Sequence, residues 1–245
     1  MIATLEPMEI ARDEDLKRAM ILSRSGNEPA ILLAQLLREH IDHEPRDRAS
    51  SARAICQFKS RGATRMRAHI GKSARAVTLI PATGEILLED LSSTEIKRLI
   101  AWLQTTVRRL KIREPAFFYL DVDYVDVGGY FAFHFHGVCH ADDRKKFRSL
   151  RSNRSLTSRS NCKRPVRISR PSPDQRIRGW LDYMVKFAWR GRHSYCCTKS
   201  GERRIRRQRM SSAALVKLLL VMDDFHPAQL LVGFGVGSGR PPSDR

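Results

Sequence analysis

Apolar side chains recur with a helical period in the first 45 residues of the chain. The period predicts one helix at 13–23 and a second at 28–43. Residues 46–74 are basic and have only weak periodicity. The pattern therefore predicts a helical N-terminal region at 1–45, which a basic linker at 46–74 joins to the rest of the chain.

From residue 75 onward the pattern alternates between strands and helices. Strands are predicted at 76–80, 116–126, 130–138 and 166–169. Helices are predicted at 92–111, 142–150 and 174–189, the first of them with Ser92 and Glu95 as a capping box. The resulting order of strand, helix, strand, strand, helix, strand is typical of an α+β, ferredoxin-like fold with an antiparallel sheet. We expect one main domain at 75–225 and a C-terminal tail at 226–245.

The predicted strand at 130–138 has two chemically different faces. Because side chains alternate along a strand, Phe131, Phe133 and Phe135 point to one face, and His134 and His136 point to the other. The phenylalanine face is expected to pack in the core. The two imidazoles then point together, as two ligands of one metal ion do.

A hairpin would add carboxylates to the histidine face. If the Gly-Gly pair at 128–129 forms a two-residue turn, His134 lies opposite Asp123 and His136 lies opposite Asp121. Two imidazoles and a carboxylate form a site for a divalent metal of the Mg, Mn or transition-metal type. Two alternatives stay open: histidines that pair with the acids without a metal, and a structural zinc. The zinc would use His140, Cys139 or Cys162.

A tyrosine and a lysine three residues apart form a second candidate group. On the helix predicted at 174–189, Tyr183 and Lys186 share one face. A phenol beside an ammonium group can act as a nucleophile with a phosphate-binding neighbour. The alternative is a half-buried Tyr183 that packs against the aliphatic stem of Lys186.

The net charge of +19 is distributed unevenly. Residues 1–45 carry 9 acidic and 5 basic side chains, whereas 144–167 carry 10 basic and no acidic ones, and 186–209 carry 9 basic and one acidic. Each run alone could be a solvated surface, but together they favour a polyanionic partner such as single-stranded DNA. The residues expected to contact nucleic acid are Arg144, Lys145, Lys146, Arg148, Arg190, Arg192, Arg203, Arg204, Arg206 and Arg207.

Cysteine usage and apolar runs indicate the compartment. Five irregularly spaced cysteines disfavour a secreted scaffold held by disulfides. The longest apolar run, 213–222, is about half the length of a membrane span, and the first residues do not have the order of a signal peptide. These features predict a cytoplasmic protein without a membrane partner.

The two candidate groups together resemble the motifs of the HUH endonuclease superfamily. A His-Phe-His at 134–136 on a strand precedes a Tyr-x-x-Lys at 183–186 on a helix. The resemblance covers roughly 76–190 and is closest to the rolling-circle replication initiators and related single-tyrosine transposases. It implies an HUH-type nuclease domain at 75–225.

The resemblance also implies a mechanism. His134 and His136 match the metal-binding motif, with an acidic third ligand at Asp121 or Asp123. Tyr183 matches the nucleophile that attacks a DNA phosphate, leaving a 5′-phosphotyrosine link and a free 3′-OH, and Lys186 matches the lysine of the tyrosine motif. The implied function is initiation of plasmid or phage replication at a single-stranded origin, together with the host replication machinery.

The chain departs from parts of this family. It has no second tyrosine one helical turn from Tyr183, so the resemblance implies a one-tyrosine enzyme. The His pair precedes the tyrosine, which disfavours conjugative relaxases, and no phosphate-binding Gly-Lys-Ser/Thr loop of a helicase is present. A transposase of the same chemistry and a non-catalytic DNA-binding regulator remain alternatives.

The basic run at 186–209 gives a prediction about salt. If it follows a DNA backbone, single-strand affinity falls steeply as salt rises, because each neutralised phosphate releases counterions. Replacing Arg203, Arg204, Arg206 and Arg207 by Ala is expected to flatten the dependence of log K on log salt, measured by fluorescence anisotropy. An unchanged slope would show that these side chains form only a solvated surface.

Overall fold

The computed structural model of the chain describes residues 8–70, 73–152, 165–169, 180, 183–196 and 203–235, without the side chains of 62–70, 193–196 and 203–205. In these ranges it is an α+β structure with six α-helices and a mixed eight-stranded sheet. None of the helices in this part of the chain has the length and apolar character that crossing a membrane requires. The helix start predicted at 174 lies outside the described residues.

The helices are α1 (Met8–Ser23), α2 (Glu28–Glu39), α3 (Ala52–Ile70), α4 (Ser93–Arg109), α5 (Arg144–Ser149) and α6 (Ser212–Met222). The strands are β1 (Ala74–Leu79), β2 (Glu85–Leu87), β3 (Ala116–Val125), β4 (Tyr130–His140), β5 (Val166–Ser169), β6 (Arg190–Cys196), β7 (Arg203–Arg209) and β8 (Leu231–Phe234). Ser92 caps α4 as predicted, since its side chain accepts a hydrogen bond from the backbone N–H of Glu95.

The sheet has the strand order β5-β1-β4-β3-β6-β7, with β2 paired to β4 and β8 paired to β3. All of these pairs are antiparallel except β3 with β6, which run parallel. The sheet is therefore mixed and has twice as many strands as the predicted one. On the outer edge of β3, β8 pairs with Ala116–Tyr119 and β6 with Asp123–Val125.

Helices cover both faces of the sheet. On the phenylalanine face, Trp102 of α4 stacks on Phe135 with ring centroids 6.1 Å apart, and Phe147 of α5 packs on Phe118 at 5.6 Å. On the histidine face, Phe58 of α3 stacks on Tyr119 at 6.3 Å. The buried apolar side chains of the N-terminal helices and of the sheet form one core cluster.

The segment predicted as a linker at 46–74 contains α3 instead. Its first turn is capped from another helix: the carboxylate of Asp15 in α1 accepts hydrogen bonds from the backbone N–H groups of Ala52 at 2.6 Å and Arg53 at 3.2 Å. The side chain of Ser51 also caps this turn, since it accepts a hydrogen bond from the backbone N–H of Ala54 at 3.2 Å, but the apolar positions of α3 are few. The helix is therefore stabilised by contacts that periodicity cannot reveal.

The predicted C-terminal tail at 226–245 contributes a strand to the sheet. Residues Leu231–Phe234 form β8, which pairs with β3, while Leu230 and Val232 are buried. Four residues with a single buried apolar position give too short an alternation to be recognised in sequence. Residues 236–245 lie outside the described residues.

The hairpin of β3 and β4 is confirmed, but its register differs from the prediction. The connection contains four residues, a short 3-10 turn at Asp126–Gly128 followed by Gly129 with φ of 63°, so Val125 pairs with Tyr130. Glycine suits this left-handed conformation, which L side chains rarely adopt. Asp121 consequently lies opposite His134, two places from the predicted pairing, and Asp123 lies opposite Ala132. A shift of two residues keeps every side chain on its face.

The cap that Asp15 provides gives a stability prediction. Asp15→Ala leaves the buried N–H of Ala52 and the partly buried N–H of Arg53 without this acceptor and is expected to lower the free energy of unfolding by about 2 kcal/mol, measured by urea denaturation. Asp13→Ala, an exposed change on the same helix, is the control and is expected to have little effect. Equal stability of the two variants would contradict the capping role.

Candidate metal centre

His134 and His136 lie side by side on the face of β4 that points away from the phenylalanine cluster. Both side chains are buried, and their Nε2 atoms are 3.0 Å apart. Asp121 of β3 reaches the same point from the neighbouring strand: its Oδ2 lies 3.3 Å from Nε2 of each imidazole. Three potential ligand atoms thus converge from two paired strands.

The second nitrogen of each imidazole is held by its own partner. Nδ1 of His134 donates to the backbone carbonyl of Ala132 at 3.1 Å, and Nδ1 of His136 lies 3.1 Å from the hydroxyl of Thr78 on β1. A carbonyl can only accept, so the proton of a neutral His134 sits on Nδ1. Its Nε2 then presents a lone pair towards Asp121, which is the arrangement of a metal-ligating histidine.

Electrostatics favours the protonation states that a metal needs. Burial raises the pKa of Asp121. The two imidazoles and the charge of Lys186 lower this pKa by a larger amount, so that it lies well below the usual value. Burial lowers the pKa of His136, and this effect exceeds the opposite effect of Asp121. An ionised carboxylate and a neutral imidazole are both ready to bind a cation without first losing a proton.

The geometry fits one metal ion. Asp121, His134 and His136 can each place a ligand atom within 4.8 Å of the others, and all three side chains are buried. Separations of 3.0–3.3 Å are those of adjacent ligands around one ion with bonds of about 2.0–2.1 Å. This group could therefore hold a metal ion.

Lys186 contacts the same carboxylate. Its Nζ donates to Oδ2 of Asp121 at 2.6 Å and lies 3.8 Å from the ring centroid of Tyr183. Burial lowers the pKa of Lys186, but the Asp121 carboxylate outweighs this effect and raises the pKa above the ordinary value. Lys186 therefore remains a cation between the candidate metal centre and the tyrosine.

Tyr183 lies against the histidine pair. Its ring centroid is 4.8 Å from that of His136, and Trp180 packs on both rings, at 5.1 Å from Tyr183 and 5.5 Å from His136. The indole N–H of Trp180 donates to the carbonyl of Gly137 at 2.9 Å, which ties this aromatic group to β4. The two motifs that are distant in sequence are adjacent in the structure.

The helix predicted at 174–189 ends early. Tyr183 and Met184 are helical, but Lys186 is not, and β6 begins at Arg190. Val185, Phe187 and Trp189 are all buried, and this period of two is that of an extended chain rather than of a helix. Tyr183 and Lys186 meet through this change of conformation and not through a shared helical face.

Asp123, predicted as a possible ligand, belongs to a different contact. It shares the histidine face, but its Oδ2 accepts from Nε of Arg192 at 2.8 Å, and it is not part of the group that could hold a metal. The register places it opposite Ala132, two residues further along β4 from His136 than the predicted pairing with His134. Arg192, predicted to contact nucleic acid, is thus partly neutralised within the fold.

Two of the predicted DNA-contacting residues, Arg190 of β6 and Arg207 of β7, lie on the histidine face of the sheet, since Arg190 is opposite Asp123 and Arg207 is opposite Arg192. Arg190 and Arg207 are exposed, and the backbone of Arg207 pairs with that of Arg192. Burial lowers the pKa of Arg207, but the charge of Asp123 and a hydrogen bond with Tyr183 raise it above the ordinary value. Arg206 is also exposed, while the side chains of Arg203 and Arg204 lie outside the described residues.

The basic residues of α5 lie elsewhere. α5 follows the C-terminal end of β4, whereas β6 pairs with β3 near the opposite end of the hairpin. Lys146 is engaged internally, with Asp143 at 2.7 Å and the carbonyl of Lys111 at 2.7 Å. Lys145 and Arg148 are exposed, and Arg144 is half-buried.

Sequence reasoning missed Thr78 and Trp180. Thr78 reaches His136 only because β1 pairs with β4, and no local signal reveals that register. Trp180 precedes Tyr183 by three residues, and this spacing on a predicted helix could have identified it as a neighbour of the tyrosine.

Comparisons with protein-family models, with curated proteins and with solved structures give no match to this chain. The function must therefore be argued from the geometry of the site.

The convergence of three acceptors predicts metal binding. Wild-type protein is expected to bind one Mn²⁺ per chain, measured by calorimetry, and His136→Ala is expected to weaken binding by more than the roughly 10–100-fold that loss of an outer hydrogen-bond partner costs. His140→Ala, on the same strand but paired with Asp142, is the control. Equal affinities of the two variants would exclude His136 as a ligand.

Proposed function

We propose that this protein is a metal-dependent enzyme that nicks and joins single-stranded DNA through a tyrosine nucleophile, in the manner of an HUH-type replication initiator. The observation that carries the proposal is the contact of Tyr183 with His136, at 4.8 Å between ring centroids. A reactive phenol beside a buried Asp-His-His group is what such chemistry requires.

The arrangement of the central strands supports this proposal. Strands β1 and β3 run parallel with β4 inserted between them, and β5 lies beyond β1. Both intervening helices, α4 and α5, pack on the phenylalanine face. We propose that these four strands and two helices, within the larger mixed sheet, correspond to the ferredoxin-like split βαβ arrangement that the resemblance to the HUH superfamily implies.

In the proposed reaction the Tyr183 oxygen attacks a backbone phosphorus and the phenol gives up its proton. A bond forms between Tyr183 and phosphorus, and the bond from phosphorus to the 3′ oxygen breaks. The products are a 5′-phosphotyrosine and a strand with a free 3′-OH, which takes up a proton. Attack of a 3′-OH on the phosphotyrosine reverses these steps and joins two strands.

The residues around Tyr183 prepare it for this role. Lys186 and Arg207 place positive charge beside the phenol, which stabilises the negative charge that develops on its oxygen. Trp180 fixes the orientation of the ring against His136. These contacts hold the nucleophile at the edge of the candidate metal centre.

Asp121, His134 and His136 would hold the metal, for which we propose Mg²⁺ or Mn²⁺. A bound divalent ion supplies Lewis-acid polarisation of the scissile phosphate. The mixture of one carboxylate with two imidazoles suits Mn²⁺ well, since carboxylates favour Mg²⁺ and Mn²⁺ and imidazoles favour transition metals. Thr78 and the carbonyl of Ala132 keep the imidazoles oriented.

Exposed arginines provide a path for the DNA. Arg190 and Arg207 lie on the histidine face of β6 and β7, the face on which Tyr183 lies, and can contact phosphates on either side of the cleaved bond. On this proposal the substrate is a single-stranded plasmid or phage origin in the cytoplasm, and host replication enzymes extend the free 3′-OH. A transposase would use the same site with a different DNA end.

A non-catalytic DNA-binding regulator is the second candidate, and one observation favours it. The 2.6 Å contact between Lys186 and Asp121 satisfies the buried carboxylate without a metal. A regulator would keep the basic surface and need neither a metal nor the Tyr183 hydroxyl.

Tyr183→Phe separates the two candidates. The change keeps the ring and its packing but removes the attacking oxygen, so covalent protein–DNA adducts are expected to fall by more than about 10³-fold, with single-strand affinity nearly unchanged. The measurement is a denaturing gel after incubation with single-stranded origin DNA and Mg²⁺ or Mn²⁺. Tyr130→Phe, a half-buried tyrosine of β4 outside the site, is the control. Adducts in Tyr183→Phe at the wild-type level, or none in wild type on cognate DNA, would favour the regulator.

A further inference from the structure

Arg18 of α1 is the largest fully buried side chain in the part of the chain that the structure describes. Its guanidinium donates to the backbone carbonyls of Ser50, at 2.5 Å, and Phe187. It also stacks on Trp189 at 4.8 Å from the ring centroid. A buried cation is costly unless it is paired, so an arginine in this position requires a structural or functional reason.

Phe187, whose carbonyl accepts from Arg18, is the residue after Lys186. Lys186 contacts both the Asp121 carboxylate and the ring of Tyr183. Residues 185–189 have neither helical nor strand conformation, so no regular hydrogen-bond ladder fixes their backbone. Their position depends on the burial of Val185, Phe187 and Trp189 and on the contacts of Arg18 with two of these residues. Arg18 therefore holds the chain immediately after the tyrosine.

The same helix also contacts β7. Glu14, one turn before Arg18, lies 3.6 Å from the Arg18 guanidinium and accepts from Arg209 of β7 at 2.6 Å. β7 also carries Arg207, whose pKa is raised in part by Tyr183. Helix α1 thus contacts the segment that follows the nucleophile and the strand that carries Arg207, without contributing a residue to the candidate metal centre.

We propose that α1, through Arg18 and Glu14, positions Tyr183 and Lys186 against the candidate metal centre, so that the N-terminal helices are an integral part of the nicking site. This inference rests on the proposed function for its catalytic consequence. Arg18 is a positioning residue: it acts through the Phe187 carbonyl and Trp189, while the three candidate ligands are placed by the pairing of β3 with β4. Loss of Arg18 should displace the nucleophile and leave metal binding intact.

The first test does not depend on catalysis. Hydrogen–deuterium exchange of the amides at 184–190 is measured in full-length wild type, Arg18→Gln, Arg18→Lys and two controls. Arg12→Gln removes an exposed arginine of the same helix, and Leu99→Ala destabilises the core on the opposite face of the sheet. We expect faster exchange at 184–190 in Arg18→Gln than in either control, with β3 and β4 exchanging as in Leu99→Ala. Exchange at 184–190 that matches Leu99→Ala would overturn the proposal.

The second test measures the catalytic consequence. The single-turnover rate of adduct formation at saturating single-stranded DNA is expected to fall by about 10²-fold in Arg18→Gln, as for a misplaced reacting group, with unchanged Mn²⁺ affinity and half-saturating DNA concentration. Arg18→Lys keeps a donor for one carbonyl and is expected to recover part of the rate. A rate loss no larger than in Leu99→Ala, or an equal loss of Mn²⁺ affinity, would overturn the positioning role.

The two tests separate this inference from the proposed function. If wild type forms no adduct, the proposed function fails, but the exchange measurement still decides whether Arg18 holds the segment at 184–190. If wild type forms adducts and Arg18→Gln forms them at the wild-type rate, the nicking function stands and the positioning role fails.

Discussion

The antiparallel pairing of β3 with β4 is the constraint on which the candidate site depends. It places Asp121 opposite His134 and brings three buried acceptor atoms to within 3.0–3.3 Å of one another. The phenylalanine face of the same strands supplies the apolar core that fixes this register, since a slip of one residue would bury the histidines among the aromatic rings of α4 and α5. The chemistry on one face is therefore maintained by the packing on the other.

Buried charge is the second organising feature. The Asp121 carboxylate is removed from water, and it is stabilised by two imidazoles and by Lys186 rather than by solvent. Asp123 receives Arg192 in the same way, and Asp15 and Arg18 are buried at the junction of the N-terminal helices with the segment after Tyr183. Such pairs add little net stability but strongly penalise any arrangement that separates them, so they specify one geometry. Arg190, Arg206 and Arg207 differ from these buried charges, because their side chains are exposed on the surface of β6 and β7.

The N-terminal helices are more than an appendage. Asp15 caps α3, Arg18 holds the Phe187 carbonyl, and Glu14 contacts β7, all from two turns of α1. These contacts bring a third layer of structure over the histidine face of the sheet. The acidic character of residues 1–45 fits this position, since α1 contacts the basic run at 186–209 through the ion pair of Glu14 with Arg209.

The sequence by itself determined the elements whose signals are local. Alternation in β3 and β4 separated the phenylalanine face from the histidine face, the Ser92 cap marked α4, and the spacing of His134, His136, Tyr183 and Lys186 identified the candidate chemistry. It also predicted that Asp121 would share the histidine face. This prediction is correct although the predicted register is wrong by two residues, because a shift of two residues leaves every side chain on the same face. Only the tertiary structure decided which acid joins the histidines, where the helix before β6 ends, and that α3 and β8 exist. The choice of acid depends on the loop length of the hairpin, which local signals left open. The other features depend on partners distant in sequence: the burial of 185–189, the cap from Asp15 and the outer edge of β3. Long-range packing selects among local backbone conformations of similar energy, and this selection produces no periodic pattern of apolar residues in the sequence.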